Sequence, residues 1–265
     1  MTFKQKLANI IRKNNSLLCI GLDPDLDKIP KHILKKKNPI FEFNKKIIDE
    51  TSDLVCCYKT QFAFYASHGI PGIKALIRTI KYIHLKHPSI PVILDAKRGD
   101  IGSTATQYAK EVFDVYLADA VTVNPFLGFD SLKPFLERKD KGIIILARTS
   151  NPGAGDFQDL IINKKPLYIK VAEKVTVWNE IYKNCLMVVG ATWPEQLRKV
   201  RKIAPEMFFL IPGIGAQGGD LEKTLQVGLT KNKSGLIISS SREIIFSANP
   251  RLEALKLIEE INKYR

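Results

Sequence analysis

Ile90-Pro91-Val92-Ile93-Leu94-Asp95-Ala96-Lys97-Arg98-Gly99-Asp100-Ile101-Gly102 carries an apolar run straight into two carboxylates and an ammonium group. The run from Ile90 to Leu94 reads as a buried β-strand. Residues two apart on a strand share a face, so Asp95 and Lys97 are expected to project together. Asp100 follows after a turn that Gly99 loosens. Charges are rarely buried without partners. Three of them at a strand's carboxyl end read either as a preorganised electrostatic site or as a structural ion pair at the strand exit, since both kinds of network perturb ionisable groups.

Working outward, the same kind of apolar run recurs. Strands are expected over residues 17–22, 54–59, 90–95, 119–123, 142–147, 185–190, 207–211 and 234–239. Amphipathic helices are expected between them, over 40–51, 71–87, 103–117, 129–138, 166–182, 193–203 and 219–228, with 250–263 closing the chain. Eight strands separated by helices predict an α/β protein, a single (β/α)8 TIM barrel, because parallel neighbours need crossover connections. A doubly wound open sheet uses the same alternation, but polar motifs at the ends of so many different strands favour the barrel. No repeat, low-complexity tract or Pro/Ser linker divides the 265 residues, so one domain over 1–265 is expected.

Phe3, Leu7, Ile10 and Ile11 fall at helical spacing in a basic, acid-free start that could be mistaken for a transit peptide. The first core strand begins almost at once, at Leu17, so an amino-terminal helix covering one end of the barrel is the expected reading. The connection 148–165 is long and contains Gly153-Ala154-Gly155, which predicts a functional lid.

With 45% hydrophobic residues the chain can bury a substantial core. No apolar stretch approaches the ~20 residues that cross a bilayer. The net charge of +14 raises the question of nucleic acid. The basic residues are mostly Lys, are spread along the chain and lack the Arg forks of base readout, so a generally basic surface that steers an anionic substrate is expected instead of a specific nucleic-acid groove. Cys19, Cys56, Cys57 and Cys185 lie in apolar runs without a C-x-x-C pair, which reads as buried reduced thiols and a cytoplasmic setting. His32, His68, His84 and His87 form no ligand pattern, and no metal is expected. His84 and His87 read as solvated residues at a helix end near Pro88.

Two further motifs point to an anion. Pro212-Gly213-Ile214-Gly215-Ala216-Gln217-Gly218-Gly219 follows the seventh strand, and Ser241-Arg242 follows the eighth. Glycines allow close backbone approach, exposed N–H groups can surround an anion, and Arg242 adds a planar fork. These two loops are the usual phosphate position in this barrel class. Ser150, after the fifth strand, offers a hydroxyl that both donates and accepts, or simply caps a loop. Asp23 and Lys59 read as network members or a strand-end salt bridge.

Asp95-x-Lys97-x-x-Asp100-Ile101 resembles the signature of the orotidine 5′-phosphate decarboxylases, and Ala96 to Thr104 is similar to the wording of the type 2 bacterial subfamily. Gly21-Leu22-Asp23-Pro24, Tyr58-Lys59-Thr60-Gln61, Thr122-Val123-Asn124-Pro125, Arg148-Thr149-Ser150-Asn151-Pro152-Gly153 and Val189-Gly190-Ala191-Thr192 extend the likeness, and the Pro212 and Ser240-Ser241-Arg242 blocks complete it. The resemblance implies cofactor-independent decarboxylation of orotidine 5′-phosphate to UMP and CO2 in pyrimidine biosynthesis. It implies Lys97, Asp95 and Asp100 as the catalytic charges, with Lys97 stabilising the developing carbanion and protonating C6. It assigns Gln217 and Arg242 to the phosphate, beside Ser241, gives Ser150 the pyrimidine edge, and gives Asp23 and Lys59 the ribose hydroxyls. It further implies a homodimer in which Asp100, Ile101 and Thr104 enter the site from the partner subunit. A metal-dependent sugar-phosphate decarboxylase of the same suprafamily shares Asp-x-Lys-x-x-Asp, and a basic nucleic-acid-binding module would account for the charge alone. The Ser150 and Gln217 motifs favour the pyrimidine nucleotide.

Overall fold

The computed structural model describes residues 1–214 and 219–265. Eight parallel strands close into a barrel: β1 (Leu18–Gly21), β2 (Cys57–Gln61), β3 (Val92–Arg98), β4 (Ala120–Val123), β5 (Gly142–Arg148), β6 (Cys185–Val189), β7 (Phe209–Ile211) and β8 (Leu236–Ser240), with β8 pairing back onto β1. Each expected strand is present, shifted by up to three residues. The shift that matters most is at β3, which runs on through Asp95 and Lys97 to Arg98, so the charges belong to the strand itself. The strand residues are almost all buried, which explains why the sequence shows continuous apolar runs instead of alternation: helices cover one face and the barrel interior fills the other.

The expected amino-terminal helix is α1 (Phe3–Asn14), which buries Phe3, Leu7, Ile10 and Ile11. A capping box between Thr2 and Gln5 starts it, satisfying two amide donors that an exposed helix end leaves open. Phe3 N donates to Asp140 O at 2.8 Å just before β5, so α1 lies across the amino-terminal end of the barrel, opposite the charged motifs.

Several local expectations are corrected. The helix foreseen over 103–117 is α-helical only over Gly102–Lys110 and then widens into a π-turn segment, Glu111–Val115. The segment begins at a tertiary contact: Arg98, at the end of β3, holds Glu111 through two hydrogen bonds of 2.9 and 2.8 Å and stacks on Phe62 and Tyr108. His84 is not a solvated residue; its Nε2 lies 2.9 Å from Asp119 Oδ2, a carboxylate that also meets Lys6. The connection 148–165 carries its own short helix, Gly155–Gln158, and a two-stranded ribbon, Ile161–Ile162 with Lys165–Pro166. All four cysteines are buried and free. Among the described residues, no helix is long and apolar enough to cross a membrane.

Candidate active site

The carboxyl ends of the strands surround a cavity of about 430 Å³. At its floor four charges alternate in sign. Lys59 Nζ lies 3.7 Å from Asp23 Oδ1 and 3.5 Å from Asp95 Oδ2, and Lys97 Nζ lies 2.7 Å from Asp95 Oδ1. Lys59 and Asp95 are almost wholly buried, whereas the Lys97 side chain is 47% exposed and reaches into the cavity. Burial opposes the Lys59 ammonium, but the Asp23 and Asp95 carboxylates outweigh it and hold Lys59 above the ordinary lysine range. Burial likewise pushes the Asp95 carboxyl up; Lys59 and then Lys97 overcome it and leave it below its usual range. Lys59 and Asp95 therefore each favour the other's charged form at the centre of the floor.

The sequence reading placed Asp95 and Lys97 on one strand face, and they do meet, but not by strand alternation. Lys97 has φ +47°, and the pairing of β3 with β4 jumps from Leu94↔Val121 to Arg98↔Val123. This bulge re-aims the lysine, as bulges at barrel rims commonly do. β3 ends at Arg98, just before Gly99, and the left-handed positions on either side of Gly99 are Lys97 and Gly102.

β5 is irregular at the same end, between Leu146 and Arg148. Ser150 follows and lines the cavity. A Cβ on Gly190 would come within 2.6 Å of Ser150 Cα, so glycine there is what lets the two loops touch. Thr192 Oγ1 then donates to Ser150 O at 3.0 Å and fixes the loop. The base of the long connection is clamped: Arg148, buried, makes two hydrogen bonds of 3.0 and 2.9 Å to Asp159, and Gln158 ties to Thr149.

Arg242 and Ser241 line the cavity mouth beside Pro212, Gly213 and Ile214. The Ser241 hydroxyl is directed at Asp23 Oδ2, 2.8 Å away, and at Gly21 O, so it orients the Asp23 carboxylate and does not stand as a free donor to an anion. Gln217 lies outside the described residues. Asp100, Ile101 and Thr104 are not part of this chain's own cavity lining. Asp100 Oδ1 accepts from Ile101 N at 2.8 Å, and Ile101 is 59% exposed. Within one chain, then, Lys97 is held by Asp95 and not by Asp100.

Sequence reasoning missed several lining residues. Gln61 donates from Nε2 to Asp95 Oδ2 at 3.2 Å, and Thr122 donates to Asp95 Oδ1 at 2.8 Å. Thr149, Asn151, Ser239 and Ser240 also border the cavity. A usable signal existed for two of them: Gln61 lies two residues beyond Lys59 on one strand face, and Thr122 is a lone hydroxyl inside the apolar run of β4. Among the described residues, no three His, Cys, Asp or Glu side chains are grouped as a metal ion would require.

Comparison with known proteins gives this geometry a family. The model of the Orotidine 5'-phosphate decarboxylase / HUMPS family matches residues 16–257. The orotidine 5'-phosphate decarboxylase of Cellvibrio japonicus (strain Ueda107) is 51% identical over 277 residues, with 100% of each chain covered. The solved OMP decarboxylase of Leishmania donovani aligns with a TM-score of 0.89 at 39% identity, covering 100% of this chain and 99% of that one. Leishmania donovani UMP synthase aligns with a TM-score of 0.92 at 41% identity; all of this chain is covered, but only 56% of that longer one.

Proposed function

We propose how the residues of this chain share out its reaction, for the chain belongs to the Orotidine 5'-phosphate decarboxylase / HUMPS family and decarboxylates orotidine 5′-phosphate to UMP and CO2 in pyrimidine biosynthesis. Loss of CO2 from C6 leaves an electron pair in the plane of the pyrimidine ring, where resonance cannot spread it. The cost of that charge has to be met electrostatically or by a proton. The observation that carries the proposal is the Lys97 ammonium, 2.7 Å from Asp95 and projecting into the cavity. It stabilises the developing carbanion and then delivers a proton to C6. A preorganised ammonium needs no reorganisation when the charge forms, which is why it acts better than water.

Asp95 aims Lys97, while Lys59 and Asp23 complete the array and face the ribose hydroxyls. Ser150 takes the polar edge of the pyrimidine. Arg242, with Gln217, takes the phosphate, an anion that suits a planar guanidinium fork. Phosphate binding far from C6 contributes to the rate by organising the loops and the charged floor. The reading needs no metal or organic cofactor, and it takes residues 1–265 as one catalytic domain. A cytoplasmic setting is supported by the four buried, free thiols.

A homodimer belongs to the same reading. Asp100 and Thr104 stand outside their own chain's cavity, and Ile101, Phe126 and Leu127 expose apolar surface near them. Asn124 N donates to Arg98 O, so the loop bearing Phe126 runs beside the end of β3. A two-fold contact there covers these side chains and brings Asp100 of the partner subunit to Lys97.

The test is direct. Purified protein with a chelator present is given orotidine 5′-phosphate, and conversion to UMP is followed by absorbance. Steady turnover is expected. Folded protein that shows none, or that needs an added divalent ion, overturns the cofactor-independent reading.

A further inference from the structure

We infer that Thr122 is a positioning residue for the decarboxylation proposed above: its hydroxyl holds the bulged Lys97 backbone and the Asp95 carboxylate in one hydrogen-bonded ring. The register of β3 against β4 places Asp95, Ala96 and Lys97 together opposite Thr122, where regular pairing would place one residue. Inside such a bulge the ladder cannot satisfy every amide. Lys97 N finds its acceptor in the Thr122 hydroxyl, at 2.9 Å. The same hydroxyl gives its proton to Asp95 Oδ1, 2.8 Å away, and that oxygen also receives Lys97 Nζ at 2.7 Å. One side chain thus closes a ring through both ends of Lys97.

The chemistry of the position is restrictive. The side chain has to accept from an amide and donate to a carboxylate at once, which a hydroxyl does and an alkyl group does not. It has to do so while 1% exposed, so water cannot take its place cheaply. It also has to stabilise a non-glycine residue at φ +47°, a conformation that side chains disfavour. Asp95 Oδ2 is held separately, by Gln61 Nε2 at 3.2 Å and by Lys59. Thr122 is therefore the group that fixes the oxygen facing Lys97.

The test compares Thr122→Val, which keeps the shape, with Thr122→Ser, which keeps the hydroxyl. Thr122→Val is expected to lower kcat about tenfold to a hundredfold, the range set by leaving a buried amide and a carboxylate each one partner short. KM and UMP affinity are expected to stay within about threefold, since the ring touches neither the phosphate nor the pyrimidine contacts, and Thr122→Ser is expected to recover most of kcat. Val at the wild-type kcat, or Ser as impaired as Val, overturns the assignment. If Val does not fold, Thr122→Ala against Thr122→Ser makes the same comparison, with equal rates overturning it. Hydrogen exchange at the Lys97 amide separates this inference from the decarboxylase reading: protection in wild type and Ser but not in Val supports the ring even if no substrate turns over, and equal protection in all three refutes it.

Discussion

Lys97 combines a strained backbone with a half-exposed ammonium, and both follow from its place in the β3 bulge. A left-handed non-glycine residue costs about 1–2 kcal/mol, a strain that persists only where surrounding contacts fix it. Here the Asp95 carboxylate and the Thr122 hydroxyl provide them. Truncation at this position removes the charge without opening the core. Lys97→Ala is therefore expected to keep the barrel and its unfolding midpoint while kcat falls by at least about a thousandfold, with each factor of ten corresponding to about 1.4 kcal/mol of transition-state stabilisation. UMP affinity, measured by calorimetry, is expected to change far less than kcat. A variant retaining near-normal turnover refutes the role of Lys97 as charge stabiliser and proton donor. The pair Asp95 and Lys97 was legible as chemistry from residue type alone. Its geometry was not, because a bulge is a property of two strands pairing and nothing in the local sequence of one of them announces it.

At the scale of elements, the amino-terminal end of the barrel is tied by one carboxylate. Asp119, just before β4, accepts from Val92 N at 2.8 Å, from His84 Nε2 at 2.9 Å and from Lys6 Nζ at 3.2 Å. It thereby joins α1, the helix Gly69–Lys86 and the starts of β3 and β4. Burial pushes this carboxyl up, but the hydrogen bond from His84 and the charge of Lys6 outweigh it and leave it below the usual carboxylate range. A depressed carboxyl stabilises the fold fully above its unfolded value, about 3.9, and loses that contribution as pH falls through the lower folded value. Asp119→Asn is expected to cost about 1–3 kcal/mol at pH 7, with the gap to wild type closing as pH falls below the ordinary carboxylate range. Denaturant unfolding at a series of pH values checks this, and a gap independent of pH contradicts it. The helix α1 itself was readable from Phe3, Leu7, Ile10 and Ile11. The role of His84 was not, because its partner lies 35 positions further along the chain.

For the whole molecule, the four floor charges of one chain cancel in pairs, and Asp100 is not among the residues that line their cavity. The dimer proposal supplies the missing carboxylate, and it can be tested without a structure of the assembly. Lys97→Ala and Asp100→Ala proteins, each inactive, are mixed under conditions of subunit exchange. Each mixed dimer contains one doubly defective site and one site with both groups intact. Activity is expected to return, approaching half the wild-type rate per mixed dimer. Verified mixed dimers that stay as inactive as their parents contradict the shared site. The net charge of +14 belongs to this scale as well, since a positive field of that size is expected to draw in a phosphorylated substrate.

What the sequence determined by itself was the alternation of buried strands and amphipathic helices, and the residue types at the strand ends. Burial on both faces of a strand leaves a largely apolar run, so Asp95 and Lys97 within β3, and Ser150 and Arg242 just past β5 and β8, stood out. Only the tertiary structure decided which polar groups face one another. Arg201 looks like one more cation on a basic helix, yet it is buried against Phe209, donates to the carbonyls of Gly228, Ala204, Met207 and Gly235, and is pushed down by that burial to about 10. The Ser241 hydroxyl, read from its loop as a phosphate contact, is turned to Asp23 across the seam where β8 meets β1. The physical reason is common to both: hydrophobic burial is roughly a sum over residues and can be read along the chain, whereas a hydrogen bond depends on the distance and angle of two groups that only the closed barrel brings together.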